Sequence, residues 1–284
     1  MGRASTKRVP SQFIVPRTMP RLSGKSLVIV GGTTGLGFSA AKAFVAEGAR
    51  VVVVGRNPES AEAAAAALGQ AGRALAGDAC DPVTAPRCIE RALTDFGGFD
   101  GLYHVAGGSG RKVGDGPLHK ITDEGWRATL ELNLTSVMYS NRAAVRQFLA
   151  QGNGGTILNL SSVLGYAPSP RFFATHAYSA AKAAIIGHSK SIAAYYAPRG
   201  IRINVLAPAL VETPMARRAA EDETILQFIK TKQPLDGGRI GQPEDLDSAA
   251  VYFMSDESKF ATGQVLGIDG GWSVSDGQIP PGEG

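Results

Sequence analysis

Very little in this chain could build a metal centre or a disulfide framework. Cys80 and Cys88 are the only cysteines. Two are too few for a disulfide scaffold, and they read as ordinary thiols, with a single bridge as the less favoured alternative. The four histidines, His104, His119, His176 and His188, have no metal-ligand spacing with one another or with the cysteines, so no catalytic metal is expected. Long hydrophobic runs are missing too. No stretch approaches the length that crosses a bilayer, and the first residues lack the apolar core of a secretory signal. The expectation is a cytoplasmic protein with no membrane partner. Charge is modest, 19% of residues with a net of +4, and no basic stripe interleaves with aromatics, so nucleic acid is not an expected partner. A serine hydrolase needs a G-x-S-x-G turn. The nearest candidate, Gly107-Gly108-Ser109-Gly110-Arg111, breaks that pattern at its last position.

What is present is a chain of 284 residues, 44% apolar, enough to bury a full core. Its organising stretch is Leu27–Phe44. Leu27 to Val30 is too short for a helix and suits a strand buried on both faces. Glycines follow at 31, 32, 35 and 37, then an alanine-rich helical run. Gly31 permits a tight turn, and glycine at 35 or 37 lets backbone approach a ligand or a packed helix. The unpaired N–H groups and positive dipole at the helix start suit a pyrophosphate.

Downstream, short apolar runs alternate with helical ones. Further strands are expected at 51–54, 74–77, 102–105, 156–160, 201–206 and 264–268. Asn57-Pro58 reads as a helix start and Gly69 as its end. Helices are expected over 84–96, within 123–150 and from about His176 to Tyr196, with further starts at Thr213-Pro214 and Gln242-Pro243. The pattern predicts an α/β fold, a doubly wound parallel sheet of about seven strands with helices on both faces. One domain should span residues 22–275, between a flexible basic arm at 1–21 and a tail at 276–284. The arm either has no role or packs on a neighbouring subunit. Ligands of such sheets sit beyond the carboxyl ends of the strands. The glycine loop, Asp78, Gly107, Ser162 and Pro208 all fall at such ends.

Tyr178 and Lys182 lie four residues apart at the start of a helix and so share a face. An ammonium beside a phenol favours the phenolate and makes the pair a usable proton donor and acceptor. Ser162 ends the preceding strand. There it either hydrogen-bonds a substrate oxygen or merely closes a turn. Asn133 lies inside a helix that does not favour asparagine.

These pieces resemble the short-chain dehydrogenase/reductase family from about Leu22 to Ser273. The motifs occur in family order: VGGTTGLG at 30–37, GDACD at 77–81, HVAG at 104–107, LNL around Asn133, LNLSSVLG at 158–165, YSAAK at 178–182, INVLAPALVETPM at 203–215, GRIGQPEDL at 238–246 and GQVLGIDGGWS at 263–273. The resemblance implies a Rossmann-like oxidoreductase that moves a hydride between a nicotinamide cofactor and an alcohol/ketone pair. A non-catalytic dinucleotide-binding regulator on the same fold is the alternative. It implies Tyr178 as acid/base, Lys182 lowering its pKa and holding the nicotinamide ribose, Ser162 orienting the substrate oxygen, and Asn133 supporting a water-linked proton path. Gly31, Thr33, Thr34, Gly35, Leu36 and Gly37 would form the pyrophosphate turn. Asp78 and Ala79 would face adenine, Ala106 and Gly107 the adenine ribose, and Pro208, Val211 and Thr213 the carboxamide. It further implies a homotetramer built through the helices carrying Asn133 and Tyr178 and through the C-terminal strand edge.

Three departures stand out. His104-Val105 replaces two asparagines that tie the central strands, so His104 must find other partners, and it reads as structural. Ala209 stands where glycine usually follows Pro208. The segment from Ser162 to Tyr178, with PSPRFFATHA, is longer than usual. Cofactor choice is legible after the second strand. Gly55 occupies the place of an acidic residue that would bind the ribose hydroxyls, and Arg56 follows with a guanidinium able to grip a phosphate. NADP is therefore expected, with NAD as the alternative. Arg111, Lys112 and Arg171 lie in two loops expected to flank the substrate: either all three point to solvent, or, with Phe172 and Phe173 as an apolar wall, they fit an acidic substrate with an apolar body.

Overall fold

The computed structural model describes residues 20–278, so the expected basic arm lies almost wholly outside the described residues, as does most of the C-terminal tail. The sheet has seven strands: β1 Ser26–Val30, β2 Arg50–Gly55, β3 Gly72–Ala76, β4 Gly101–His104, β5 Gly155–Leu160, β6 Ile201–Pro208 and β7 Val265–Ile268. All neighbours pair parallel, in the order β3-β2-β1-β4-β5-β6-β7. The strands match the expected runs to within two residues at each end.

Successive side chains on a strand point to opposite faces, and each face carries its own core. Leu27, Ile29, Val51 and Val53 pack toward helices α1 (Gly35–Ala46) and α9 (Asp247–Met254), around Phe44 and Phe253. Val28, Val30, Val52 and Val54 pack on the other face against α3 (Thr84–Phe96) and α5 (Ser136–Gln151), around Phe148. This double burial is why the strands read as continuous apolar runs. Helix α2 (Pro58–Leu68) begins as expected. Asn57 Oδ1 accepts from the N–H groups of Glu59 (2.7 Å) and Ser60 (3.2 Å), and Gly69 at φ +59 ends it.

The helix expected within 123–150 runs from Asp123 to Gln151 with one irregularity, a π turn over Glu131–Thr135 between α4 (Asp123–Leu130) and α5. One expectation needs correction. Thr213-Pro214 opens a turn, and α7 starts only at Arg217 (Arg217–Ala220), followed by α8 (Glu223–Lys232).

His104 resolves the departure at the central strands. It is fully buried on β4. Its Nε2 lies 3.1 Å from the Ala106 carbonyl and its Nδ1 2.7 Å from Ser140 Oγ. Since a carbonyl can only accept, Nε2 carries the proton and Nδ1 accepts from the serine. Burial, helped by the positive charge of Lys182, pushes this imidazole down to about 3, so it stays neutral. Beside it, Asn141 on α5 and Asn159 on β5 exchange amide hydrogen bonds (2.9 and 2.8 Å), and Asn159 also donates to Ser189 Oγ (3.0 Å). A neutral polar network thus ties β4 and β5 to α5 and α6 (His176–Tyr196), and every member found a partner, as burial demands.

Candidate active site

The strand order reverses between β1 and β4, and the crevice opens there. After β1 the chain turns at Gly31, φ +86, where a Cβ would lie 2.5 Å from the Ala106 nitrogen. The Val30 carbonyl accepts from the N–H groups of both Val105 (2.8 Å) and Ala106 (2.9 Å), which closes the floor. Gly37 allows α1 to sit on that turn, since a Cβ there would stand 2.1 Å from the Gly31 carbonyl oxygen. Helix α1 has Thr34 as N-cap but no side-chain capping bond, so its first N–H groups are left for a ligand.

These groups open onto one cavity of about 800 Å³. Gly31, Thr33, Thr34, Gly35, Leu36, Arg56, Asp78, Ala79, Ala106, Gly107, Ser162, Tyr178, Lys182, Pro208, Val211 and Thr213 all line it. Two expected site residues do not. Gly37 is behind the turn it permits, and Asn133 is fully buried. The Asn133 amide clamps Gly108: Nδ2 donates to the Gly108 carbonyl (2.9 Å) and Oδ1 accepts from its N–H (3.0 Å), while Nδ2 also reaches the Thr129 carbonyl (2.9 Å). Asn133 sits in the π turn, a distortion that recurs at functional sites. Its side chain is committed to the loop after β4, and the unfavourable helical position is explained.

Lys182 is buried, donates from Nζ to the Leu160 carbonyl (2.8 Å), and stands 5.5 Å from the centre of the Tyr178 ring. Burial lowers its ammonium to about 7. Burial also pushes the Tyr178 phenol up to about 12, with the Ser162 hydroxyl pulling the other way. The expectation that lysine brings the phenol down is therefore not met by the protein groups alone. Desolvation penalises both charged forms, and an ammonium over a ring face does less for the phenolate oxygen than one beside it. Ser162 Oγ accepts from the Leu164 N–H (3.2 Å), which fixes its rotamer.

Sequence reasoning missed Asp115. This buried carboxylate accepts from the N–H groups of Ala177 and Tyr178, both at 3.0 Å, and so caps α6 where Thr175 provides no side-chain cap. The Gly116 carbonyl accepts from the His176 N–H (3.2 Å), and His176 Nδ1 accepts from the Leu118 N–H (3.0 Å). The loop after β4 thus stitches down the first turn of the helix that carries Tyr178. An aspartate among glycines gave no signal of a partner 62 residues away.

The long segment after Ser162 is packed. Phe172 meets Phe228 on α8 (5.1 Å between centroids), Phe173 meets Trp272 edge-on (5.6 Å), and the indole Nε1 donates to the Ala167 carbonyl (3.0 Å). Phe173 and Trp272 line the cavity; Arg171 does not. The Arg171 guanidinium lies 5.0 Å from the Phe172 ring centre. Arg218, unsuspected from sequence, lines the cavity instead.

The residues present fit a nicotinamide dinucleotide: an uncapped helix start over a glycine turn, and a serine, phenol and amine together, line the same cavity. Comparison with known proteins agrees. A family model described as enoyl-(acyl carrier protein) reductase matches residues 30–273. The chain is 34% identical over 261 residues to a 2,5-dichloro-2,5-cyclohexadiene-1,4-diol dehydrogenase of Sphingobium indicum, covering 89% of this chain and 98% of that one. It is 34% identical over 258 residues to the NADP-dependent (R)-specific alcohol dehydrogenase of Lentilactobacillus kefiri, covering 89% and 98%. It is 36% identical over 253 residues to a 3-alpha-(or 20-beta)-hydroxysteroid dehydrogenase of Mycobacterium tuberculosis, covering 88% and 90%. A short-chain type dehydrogenase/reductase from Mycobacterium ulcerans superimposes with a TM-score of 0.81 at 28% identity, covering 89% of this chain and 91% of that one. The chain belongs to the short-chain dehydrogenase/reductase family. It is an NAD(P)-dependent oxidoreductase that interconverts CH–OH and C=O groups.

Proposed function

We propose that this enzyme uses NADP(H) to interconvert a small alcohol and its ketone, with Tyr178 as the acid/base. The observation that carries the reading is that Ser162, Tyr178 and Lys182 meet one another and line the same cavity as the glycine turn. The cofactor supplies the hydride. Ser162 Oγ, fixed by Leu164, holds the substrate oxygen; Tyr178 Oη gives that oxygen a proton in reduction and takes it back in oxidation. Lys182 orients the ribose, and the Ser162 hydroxyl draws the phenol downward against its burial. Asn133 acts through the backbone, by holding Gly108. The curated relatives named above are all dehydrogenases, which supports the catalytic reading over the binding-module alternative.

NADP preference rests on position 55. A Cβ at Gly55 would lie 2.0 Å from Thr33 Oγ1, so an acidic side chain enters only if Thr33 moves. Arg56 is exposed at the cavity edge and forms no ion pair among the described residues. A cytoplasmic homotetramer is part of the same proposal. Phe260 is fully exposed, and Leu266 lies partly exposed on the edge strand β7; both suit a contact between copies. The cofactor experiment compares Arg56→Ala with wild type on both nicotinamides, using a panel of ketones. Loss of a charge-assisted phosphate contact should weaken NADPH about ten- to a hundredfold and leave NADH almost unchanged. A wild type that already favours NADH would contradict the assignment.

A further inference from the structure

The substrate end of the cavity carries an excess of positive charge that the reaction does not use. Five basic side chains line the cavity, Arg56, Arg111, Lys112, Lys182 and Arg218, against one carboxylate, Asp78. Arg56 and Asp78 stand at the end assigned to the adenosine, and Lys182 serves the nicotinamide side. That leaves Arg111, Lys112 and Arg218 with no carboxylate among the lining residues at their end. The nearest buried acid, Asp115, is already accepting from two helix N–H groups.

Arg111 comes from the loop after β4 and Arg218 from α7, yet both reach the same backbone oxygen. The Phe172 carbonyl accepts from Arg111 Nη2 (3.1 Å) and from Arg218 Nη2 (3.5 Å). Neither arginine forms an ion pair among the described residues. Two guanidinium groups sharing one neutral acceptor repel each other, and the Arg111 guanidinium lies below its ordinary value through loss of water and then through the charge of Arg218, with Asp115 offsetting only part of this. Each guanidinium has five N–H donors; each makes one bond to the protein, and both residues are exposed, so the other donors are open to a ligand or to water. Phe173, Trp272 and Met215 add apolar wall to the same cavity.

We propose that Arg111 and Arg218 form an anion clamp at the substrate mouth, selecting alcohols and ketones that carry a carboxylate or phosphate on an apolar body. An anion between the two guanidinium groups relieves their repulsion and satisfies their donors in the planar, two-bond geometry that arginine favours. The inference rests on the alcohol/ketone reading of the site and goes beyond it by naming the substrate's second functional group. It keeps Arg111 from the expectation based on sequence and replaces Arg171 by Arg218.

The test is equilibrium binding to the NADP⁺-loaded enzyme of three probes of one shape: 4-acetylbenzoate, 4-acetylphenyl phosphate and methyl 4-acetylbenzoate. Reduction of each by NADPH is measured in parallel. Wild type should bind at least one anion about tenfold or more tightly than the ester, a difference of roughly 1.4 kcal/mol. Which anion wins distinguishes a carboxylate substrate from a phosphorylated one. Arg111→Gln and Arg218→Gln each keep a side-chain N–H for the Phe172 carbonyl while deleting the charge. They should abolish the preference and leave the ester's affinity unchanged, and Arg218→Lys should restore part of it. Equal affinity for ester and anions in wild type, or equal losses on all probes in the variants, overturns the clamp. Anion-selective binding with no reduction of any probe would keep the clamp and count against the catalytic reading. Reduction with no anion preference would do the reverse.

Discussion

Replacing Tyr178 by phenylalanine should lower kcat by at least about a hundredfold, the low end for general acid–base catalysis, while NADPH binding changes little. The substitution deletes one hydroxyl. The ring keeps its place over Lys182 Nζ, and the backbone at 178 remains held by Asp115, so neither the wall nor the helix start moves. Neither Ser162 nor His104 replaces it. Ser162 lines the same cavity, but an aliphatic hydroxyl is a far weaker acid than a phenol and does not supply the proton. His104 is fully buried on β4, committed to Ala106 and Ser140, and neutral. Turnover and cofactor affinity measured on the same preparation check this. A variant that turns over near the wild-type rate would remove Tyr178 from the chemistry.

Lys182→Met should lower turnover by a similar factor, and it should also weaken cofactor binding, by roughly two- to tenfold for a lost hydrogen bond. Methionine preserves much of the buried stem and removes only the amine, so a double loss identifies the amine itself. Stability gives an independent reading. The folded-state pKa of about 7 lies below the ordinary lysine value of 10.5. Between these two values the unfolded chain holds a proton that the folded chain lacks. The stability linked to Lys182 is therefore complete above about pH 10.5, declines as the pH falls, and is lost as the pH falls through about 7. Tyr178 has the opposite sign: its raised folded value contributes stability below about 10 that is lost as pH rises through about 12. Denaturant unfolding of wild type should thus strengthen from about pH 7 to pH 9, and Lys182→Met should flatten that slope. An unchanged slope would mean that the amine is charged in the folded protein.

The sheet was legible because strands buried on both faces leave continuous apolar runs between turn residues, as at Val51–Val54. Helix ends were legible where the signal is local: Asn57-Pro58 and Gly69 act within a few residues of themselves. The π turn at Asn133 was not, because it is fixed by amide bonds to Gly108, 25 residues away. The Asp115 cap, the Asn141–Asn159 pair and the partners of His104 were invisible for the same reason. Each is a polar residue whose meaning depends on a distant backbone. The cavity-lining residues followed from family motifs, whereas Arg171 and Arg218 were misjudged in opposite senses. Side-chain direction in an irregular segment is set by packing, here by Phe172 on Phe228 and Phe173 on Trp272, and no periodicity reports it.

The central claim is the proposal that a hydride passes between a nicotinamide ring and a carbonyl carbon whose oxygen is held by Ser162 and protonated by Tyr178. Transfer of label tests it most directly. Wild-type enzyme is given NADPH carrying deuterium on one or the other face of the nicotinamide C4, with a ketone it reduces, and the alcohol is analysed by mass spectrometry. The account predicts one deuterium on the carbinol carbon from one labelled face only, and almost no labelled product with Tyr178→Phe in the same time. An alcohol formed without deuterium from either face, or labelled equally from both, would contradict it.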